Sequence, residues 1–498
     1  MSQTFKDATP AEIEAVMKQS WQAFLVYRKS SLKQRADFMR GIALALEAIR
    51  SKVVPVAMQE THLPEGRLNG ELSRTISQLN NYAQAAETGS WLEARIDTAQ
   101  PDRSPAPKPD LRKMLVPLGP VVVFGASNFP FAYSTAGGDT ACAFAAGCPV
   151  IVKAHPAHEQ TSELVAGAIL AAAKQSAMPE GIFAHVHGAS FETGKALVTH
   201  PLAKAVGFTG SLAGGKALFD LSGQRKEPIP IFAEMGSINP IFLLPGKLKE
   251  DAAGIAKLYA GSITQGVGQF CTNPGLMFGI DSEDLRTFTS VLSEALKEAA
   301  PETMLHPGIA KAFWQKRATA LEQQGVHMES TTSLEATEQQ GIPTLASASA
   351  TAFLNNPVLH QEIFGPYSLL IKCKDAGEML ACIRHTEGQL TSTLMATDED
   401  METHSDIADA IENLCGRLIM NGVPTGVEVC LSMQHGGPYP ATTDSRFTSV
   451  GADGIKRFAR PLCFQNFSDH LLPAELQNAN PLGIWRTVDD KLTRDPVS

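Results

Sequence analysis

No two cysteines of the chain stand in a C-x-x-C pair, which removes the usual framework of a disulfide-stapled domain or a zinc module. The eight present are Cys142, Cys148, Cys271, Cys373, Cys382, Cys415, Cys430 and Cys463. They read as reduced and mostly buried, since a free cysteine behaves as a small hydrophobe. Long apolar runs are missing too. The most apolar stretch, ACAFAAGCPVIV at 141–152, holds Gly and Pro and ends at Lys153, too short to cross a bilayer. The N-terminal MSQTFKDATPAEIEAVMKQSW lacks the basic-then-apolar layout of a signal segment. Positive charge is not in surplus: the formal net charge is -10, a poor match for nucleic acid or an anionic membrane surface. Internal repeats and low-complexity segments are absent. What remains is a soluble, cytoplasmic protein of ordinary globular composition, 44% hydrophobic and 19% charged. A chain of 498 residues exceeds one core, so two or three domains are expected.

The N-terminal region reads as helices. Thr9 precedes Pro10 at the first helical position, with Glu12 at the capping-box place. Proline-rich AQPDRSPAPKPDLRK marks a boundary or an extended crossing. Then strands and helices alternate: VVVFG, PVIVKA, GIFAHVHG, AKAVGFTGS and IPIFAEMG as strands, separated by helical segments, with NPIFLLP closing the run. Short strands that are apolar throughout imply burial on both faces, hence an α/β fold with a parallel sheet covered by helices. Ligands of such sheets bind at the carboxyl ends of the strands. A second α/β region starts near Lys247, and the tail reads as irregular with a single strand.

Several residues could carry chemistry. FTGSLAGGKA sets Gly210 and Gly215 between a strand and a helix, where a backbone can approach a phosphate. It is neither G-x-G-x-x-G nor a Walker loop, and an ordinary glycine-rich turn explains it as well. Lys153 ends a buried strand, fit for a ribose or phosphate or simply a solvated strand end. His155 and His158 flank Pro156 without an acidic partner, so no metal is expected. Asn128, in GASNFPF, could donate to an oxyanion or cap a turn. Glu234 ends an apolar strand, where a raised pKa would suit a general base; a salt bridge is the plainer alternative. Cys271, in GQFCTNPG at 268–275, is a nucleophile if its surroundings favour the thiolate. No histidine lies beside it in sequence, as a cysteine hydrolase would want.

Together, GASNFPF, PVIVK, GFTGS, AEMGSINP, GQFCTNPG and EIFGP stand in an order that resembles the NAD(P)-dependent aldehyde dehydrogenase superfamily. The resemblance implies a Rossmann-type cofactor domain over 1–98 and 118–245, a catalytic domain over 246–465, and a small oligomerisation element of 99–117 and 466–498. It implies Cys271 as nucleophile, Glu234 as general base, and Asn128 with the Cys271 N–H as oxyanion hole. Lys153 falls at the adenosine ribose, Ser211 with Gly210 and Gly215 at the pyrophosphate, and Glu362 and Phe364 at the nicotinamide ribose and ring. Where NAD-preferring members carry a glutamate, three residues after the lysine, this chain has Pro156. That implies NADP over NAD, with His155 and Lys216 as further donors. HGGPYPATTDSRFTSVG and the GASNFPF region are similar to the subgroup of 2-oxoglutarate semialdehyde (2,5-dioxopentanoate) dehydrogenases and a bacterial fatty aldehyde dehydrogenase. The expected reaction is therefore oxidation of that semialdehyde to 2-oxoglutarate, with a long aliphatic aldehyde as the alternative substrate. Phe129, Tyr133 and Phe270 are expected to line the substrate tunnel, with Arg446 a candidate for a distal carboxylate. Homodimers or homotetramers are the expected assembly.

Overall fold

The computed structural model describes residues 5–497. Helices Pro10–Tyr27, Leu32–Ala48, Arg50–Thr61 and Glu65–Thr88 fill the N-terminal region. The first begins as its sequence dictates: the Thr9 and Glu12 side chains each bond the other's backbone amide, closing a capping box ahead of Pro10.

The alternating run builds a five-stranded, wholly parallel sheet. Its spatial order is Phe183–Val186, Val150–Lys153, Val121–Phe124, Ala205–Thr209 and Ile231–Glu234. Val121, Val122, Val150 and Ile151 are fully buried, which is why these strands show no polar alternation. Strand succession reverses between Val121–Phe124 and Ala205–Thr209, and a crevice opens at the carboxyl edge of such a switch point. Lys153, Phe124, Thr209 and Glu234 end four adjacent strands at that edge.

A second sheet has seven strands, ordered Val326–Thr331, Thr344–Ser349, Tyr367–Cys373, Leu276–Ile280, Ile241–Leu243, Gln389–Met395 and Cys415–Met420. Only its first pair is antiparallel. NPIFLLP, expected to close the first run, belongs here: Ile241–Leu243 pairs with Leu276–Ile280 and Gln389–Met395. The sheets thus change over before residue 241, not at 246. A short strand apolar on both faces carries no sign of which sheet receives it.

A third sheet joins Ala459–Gln465, Leu111–Pro117, Arg95–Asp97, Arg486–Val488 and Lys491–Thr493. The element expected over 99–117 and 466–498 therefore reaches out to Arg95 and back to Ala459, and the tail supplies two paired strands rather than one. All eight cysteines are free. Cys142, Cys148, Cys373 and Cys382 are buried, whereas Cys430 and Cys463 are exposed. Among the described residues no helix is long and apolar enough to cross a membrane.

Candidate active site

Cys271 sits in the loop between the helix Pro245–Thr264 and the strand Leu276–Ile280. Gly266, Val267 and Gly268 all take positive φ on the approach, a conformation costly for a β-branched residue. Gly268 is required by space as well, since an added Cβ would lie 2.4 Å from the Gly365 carbonyl. The loop is held from beneath by Asn239, whose amide donates to the Cys271 and Asn273 carbonyls, each at 2.9 Å. Asn239 lies within AEMGSINP, five residues after Glu234, where nothing local marks it as a support for a distant loop. Asn128 arrives from the turn after Val121–Phe124. Its Nδ2 donates to the Gln269 carbonyl at 3.1 Å, and its own carbonyl accepts from Arg67 Nη2 at 2.9 Å. An amide nitrogen carries two hydrogens, so the bond to Gln269 orients Asn128 and leaves a second donor.

Glu234, ending its strand, has a carboxylate oxygen within 4.8 Å of the Cys271 Sγ. Between them stands a residue that the sequence spacing hid. His435 Nε2 lies 3.5 Å from Sγ and 3.1 Å from Glu234 Oε1, and His435 is only 1% exposed. Ser449 Oγ donates to the other carboxylate oxygen at 2.7 Å. The expectation for Glu234 was a raised pKa, and the structure gives the opposite direction. Burial pushes it up, but the charge and hydrogen bond of His435, with Ser449 and Cys271, together hold it below the usual carboxylate range. Burial first, and then the negative charge of Glu234, push the Cys271 thiol well above its ordinary value. The resting sulfur is therefore a thiol facing an ionised base. Glu234, Cys271 and His435 are also close enough to share a metal ion, as are Glu163, His185 and His187.

Two cavities meet at Phe270, the residue before the nucleophile. One, of about 1020 Å³, is lined by Phe129, Phe270, Gln265, Arg67, Glu71 and Arg74 among others. Phe129 stands edge-on to Phe270 at 5.6 Å and to Tyr133 at 5.2 Å; Phe129 and Phe270 line the cavity, and Tyr133 packs behind Phe129. The other cavity, of about 20 Å³, carries Glu362 and Phe364 with Gly268 and Asn273. Arg446 belongs to neither. Its guanidinium grips Asp444 through Nε and Nη2, at 2.8 and 2.5 Å, and its side chain is 80% exposed. A carboxylate two residues back holds it at the surface, so it is withdrawn as an anchor for a distal carboxylate.

The crevice at the sheet edge suits a dinucleotide. Ser211 caps the helix Leu212–Gly223 by accepting from Gly214 N, and the first amides of that helix face the crevice end, where an anion is favoured. Gly215 lets the helix settle on its neighbour, since a Cβ there would meet Met235 at 2.6 Å. Gly210 N–H donates to the Glu234 carbonyl, tying the turn to the last strand. Burial draws the Lys153 ammonium down in pKa, with Asp7 and Glu159 as its charge neighbours. Burial also keeps His155 well below its usual range; it is neutral, and its Nδ1 accepts from Ala157 N at 3.1 Å. Lys216 is paired along its own helix with Asp220 at 2.8 Å, which spends its charge. Glu362 is pushed by burial to about 7, and a Cβ on Gly236 would lie 2.7 Å from its carboxylate. The residues present thus fit a nicotinamide dinucleotide from its pyrophosphate to its ring.

A family model described as the aldehyde dehydrogenase family matches residues 1–439. The alpha-ketoglutaric semialdehyde dehydrogenase 2 of Azospirillum brasilense is 47% identical over 98% of this chain and 93% of its own length. The alpha-ketoglutaric semialdehyde dehydrogenase of Acinetobacter baylyi is 44% identical over 99% of this chain and 93% of its own. Among solved structures, a succinic semialdehyde dehydrogenase from Streptococcus pyogenes in complex with NADP+ superposes with a TM-score of 0.77 at 18% identity, covering 93% of this chain and 96% of that one. A 1-pyrroline-5-carboxylate dehydrogenase gives 0.77 at 20% identity, over 92% and 86%. At these identities the two structures share the fold. The matched model spans most of the chain, and the two relatives match it nearly end to end: this chain belongs to the aldehyde dehydrogenase family.

Proposed function

We propose that the enzyme oxidises 2-oxoglutarate semialdehyde (2,5-dioxopentanoate) to 2-oxoglutarate with NADP, through a thiohemiacetal and a thioester on Cys271. The observation that carries the chemistry is that Phe270, the residue before Cys271, lines both cavities, one with Phe129 and Arg67, the other with Glu362 and Phe364. Near-full-length identity to two alpha-ketoglutaric semialdehyde dehydrogenases supports the substrate.

Aldehyde enters past Phe129, Tyr133 and Phe270. The thiol proton passes to solvent, and the His435 Nε2–H, 3.5 Å from Sγ and 3.1 Å from Glu234 Oε1, then faces both the thiolate and the carboxylate. Sulfur attacks the carbonyl carbon. The free Asn128 N–H and the Cys271 N–H stabilise the oxyanion, at roughly 3–4 kcal/mol per donor in comparable sites. A nicotinamide held beside Glu362 and Phe364 would supply the hydride acceptor for oxidation of the thiohemiacetal to a thioester. Glu234, held ionised, then takes a proton from water as it attacks the thioester, and the thiol leaves. A plain cysteine hydrolase is disfavoured by the geometry. There the two ring nitrogens face the nucleophile and the orienting group separately, whereas here His435 Nε2 faces both.

Replacing His435 by Gln removes the charge that opposes burial at Glu234, so the Glu234 carboxyl rises and the base is protonated to a higher pH. The acid limb of the pH–rate profile is expected to move upward. An unmoved limb with lowered kcat would assign His435 a packing role only.

NADP over NAD is supported by Pro156 in place of a carboxylate and by neutral His155 as a donor beside Lys153. The nearby carboxylates are engaged elsewhere: Asp7 accepts from Ala189 and Ser190 amides, and Glu159 lies 3.7 Å from His187. A homodimer or homotetramer is supported by the exposed Leu471, Trp485 and Leu492 on the small sheet's segment and by Leu418 and Met420 on an edge strand. Eight free cysteines accord with the cytoplasm. Initial rates over a panel of aldehydes with each cofactor test the reading. The semialdehyde with NADP is expected to give the highest kcat/KM, and preference for hexanal would overturn it.

A further inference from the structure

The aldehyde cavity is not a neutral channel. Its wall includes Arg67, Gly70, Glu71 and Arg74, four residues from one face of the helix Glu65–Thr88. Positions 67 and 74 are two helical turns apart and so project on the same side. Gly70 stands between them in sequence, and a Cβ there would meet nothing within 4 Å, so the helix surface over Gly70 is open. Each group is fixed by an aromatic face. Arg67 lies 5.2 Å from the Phe129 ring centre and 4.8 Å from that of Phe270, and Arg74 lies 5.8 Å from that of Tyr133.

Their hydrogen bonding is incomplete. Arg67 Nη2 serves the Asn128 carbonyl at 2.9 Å and Arg74 Nη2 the Tyr133 hydroxyl at 3.3 Å. Arg67 Nη1 and Arg74 Nε are buried with no partner. Among the described residues neither arginine forms an ion pair with a carboxylate within 4.0 Å. Glu71, between them, spends Oε1 on the Phe131 and Ala132 amides at 2.8 and 3.0 Å. It is one carboxylate beside two guanidinium groups, so it does not neutralise both. Two desolvated guanidinium groups with unused donors, facing one cavity, are costly unless an anion completes them.

We propose that Arg67 and Arg74 form the anchor for the distal 2-oxo-carboxylate of the substrate, and thereby set the preference for carboxylated over alkyl aldehydes. The inference rests on the substrate reading above. In 2,5-dioxopentanoate the carboxylate is four carbon–carbon bonds from the aldehyde carbon. With the aldehyde at Cys271, the acid end extends past Phe270 toward Arg67. The planar forks of arginine match a carboxylate, and the adjacent keto oxygen offers a further acceptor. A long alkyl chain in the same place would leave both cations unpaired.

The test compares kcat/KM for 2,5-dioxopentanoate, glutarate semialdehyde and pentanal, at saturating NADP, in the wild type and in Arg67→Met, Arg74→Met, Arg67→Lys and Arg74→Lys. Each Met variant is expected to lower the ratio of dioxopentanoate to pentanal by about 30-fold or more, chiefly through KM. Each Lys variant is expected to recover part of it, because charge returns without the fork. Because pentanal also reports loss of folding, or disturbance of Asn128 and Cys271, the ratio isolates the anchor. A ratio within about threefold of wild type in both Met variants would overturn the inference. A wild type that prefers glutarate semialdehyde, with the ratio still falling in the variants, would keep the anchor and reject the specific substrate. A wild type that takes pentanal as well as either acid would remove both.

Discussion

Cys271→Ala is expected to lose about 10⁴-fold or more in kcat for aldehyde oxidation, while the cofactor still binds. The structure offers no substitute at that position. Of the other seven cysteines, Cys142, Cys148, Cys373 and Cys382 are buried in the packed core, Cys415 is half-buried, and Cys430 and Cys463 are exposed. The change is also local. The Asn239 amide grips the loop through the main-chain carbonyls of residues 271 and 273, and the Asn128 bond goes to the Gln269 carbonyl. None of these needs the sulfur. Loss of turnover with retained cofactor binding is thus the signature of a missing nucleophile, and full activity in the variant would contradict the mechanism.

Glu234→Gln is expected to separate the two halves of the reaction. Gln keeps the shape and can still meet Ser449 and His435, but it takes no proton from water. The His435 Nε2–H, 3.5 Å from Sγ, remains to face the thiolate, so the first half persists. The expected trace is a burst of about one NADPH per active site, followed by a steady rate lowered by about 10²–10⁴-fold. An equal loss in burst and steady phase would place Glu234 in acylation instead. The lowered pKa of Glu234 fits the later role. A base kept ionised against burial is ready when the thioester forms, whereas the raised Cys271 thiol keeps the sulfur from ionising uselessly beside that carboxylate.

Much of the fold could be read from local pattern. The Thr9–Glu12 capping box and the unalternating valines of 121–123 and 150–152 are short-range signals, and each appears where its chemistry puts it. Which sheet takes Ile241–Leu243, and how far the small sheet reaches, depend on pairing between distant segments, for which the strands carry no mark. The site divides in the same way. Cys271, Glu234 and Asn128 were legible because each ends a strand or follows a turn in a recognisable stretch. His435 was not, because 164 residues separate it from Cys271 and 201 from Glu234, and nothing within HGGPYPATTDSRFTSVG marks its histidine as facing a thiol. Arg67 and Arg74 carried a faint signal, a seven-residue spacing on a helix, which ordinarily marks a solvated face. Only the fold shows that this face closes over Phe129 and Phe270. Arg446 drew notice by lying in a quoted stretch, yet Asp444 claims it.

The claim on which the rest depends is covalent catalysis at Cys271, and mass spectrometry reads it most directly. Glu234→Gln mixed with 2,5-dioxopentanoate and NADP, then quenched in acid, is expected to gain the mass of one 2-oxoglutaryl group. Peptide mapping should place that group on Cys271, and it should be absent when NADP is left out. NADPH formed without any adduct, or an adduct on another residue, would contradict the account.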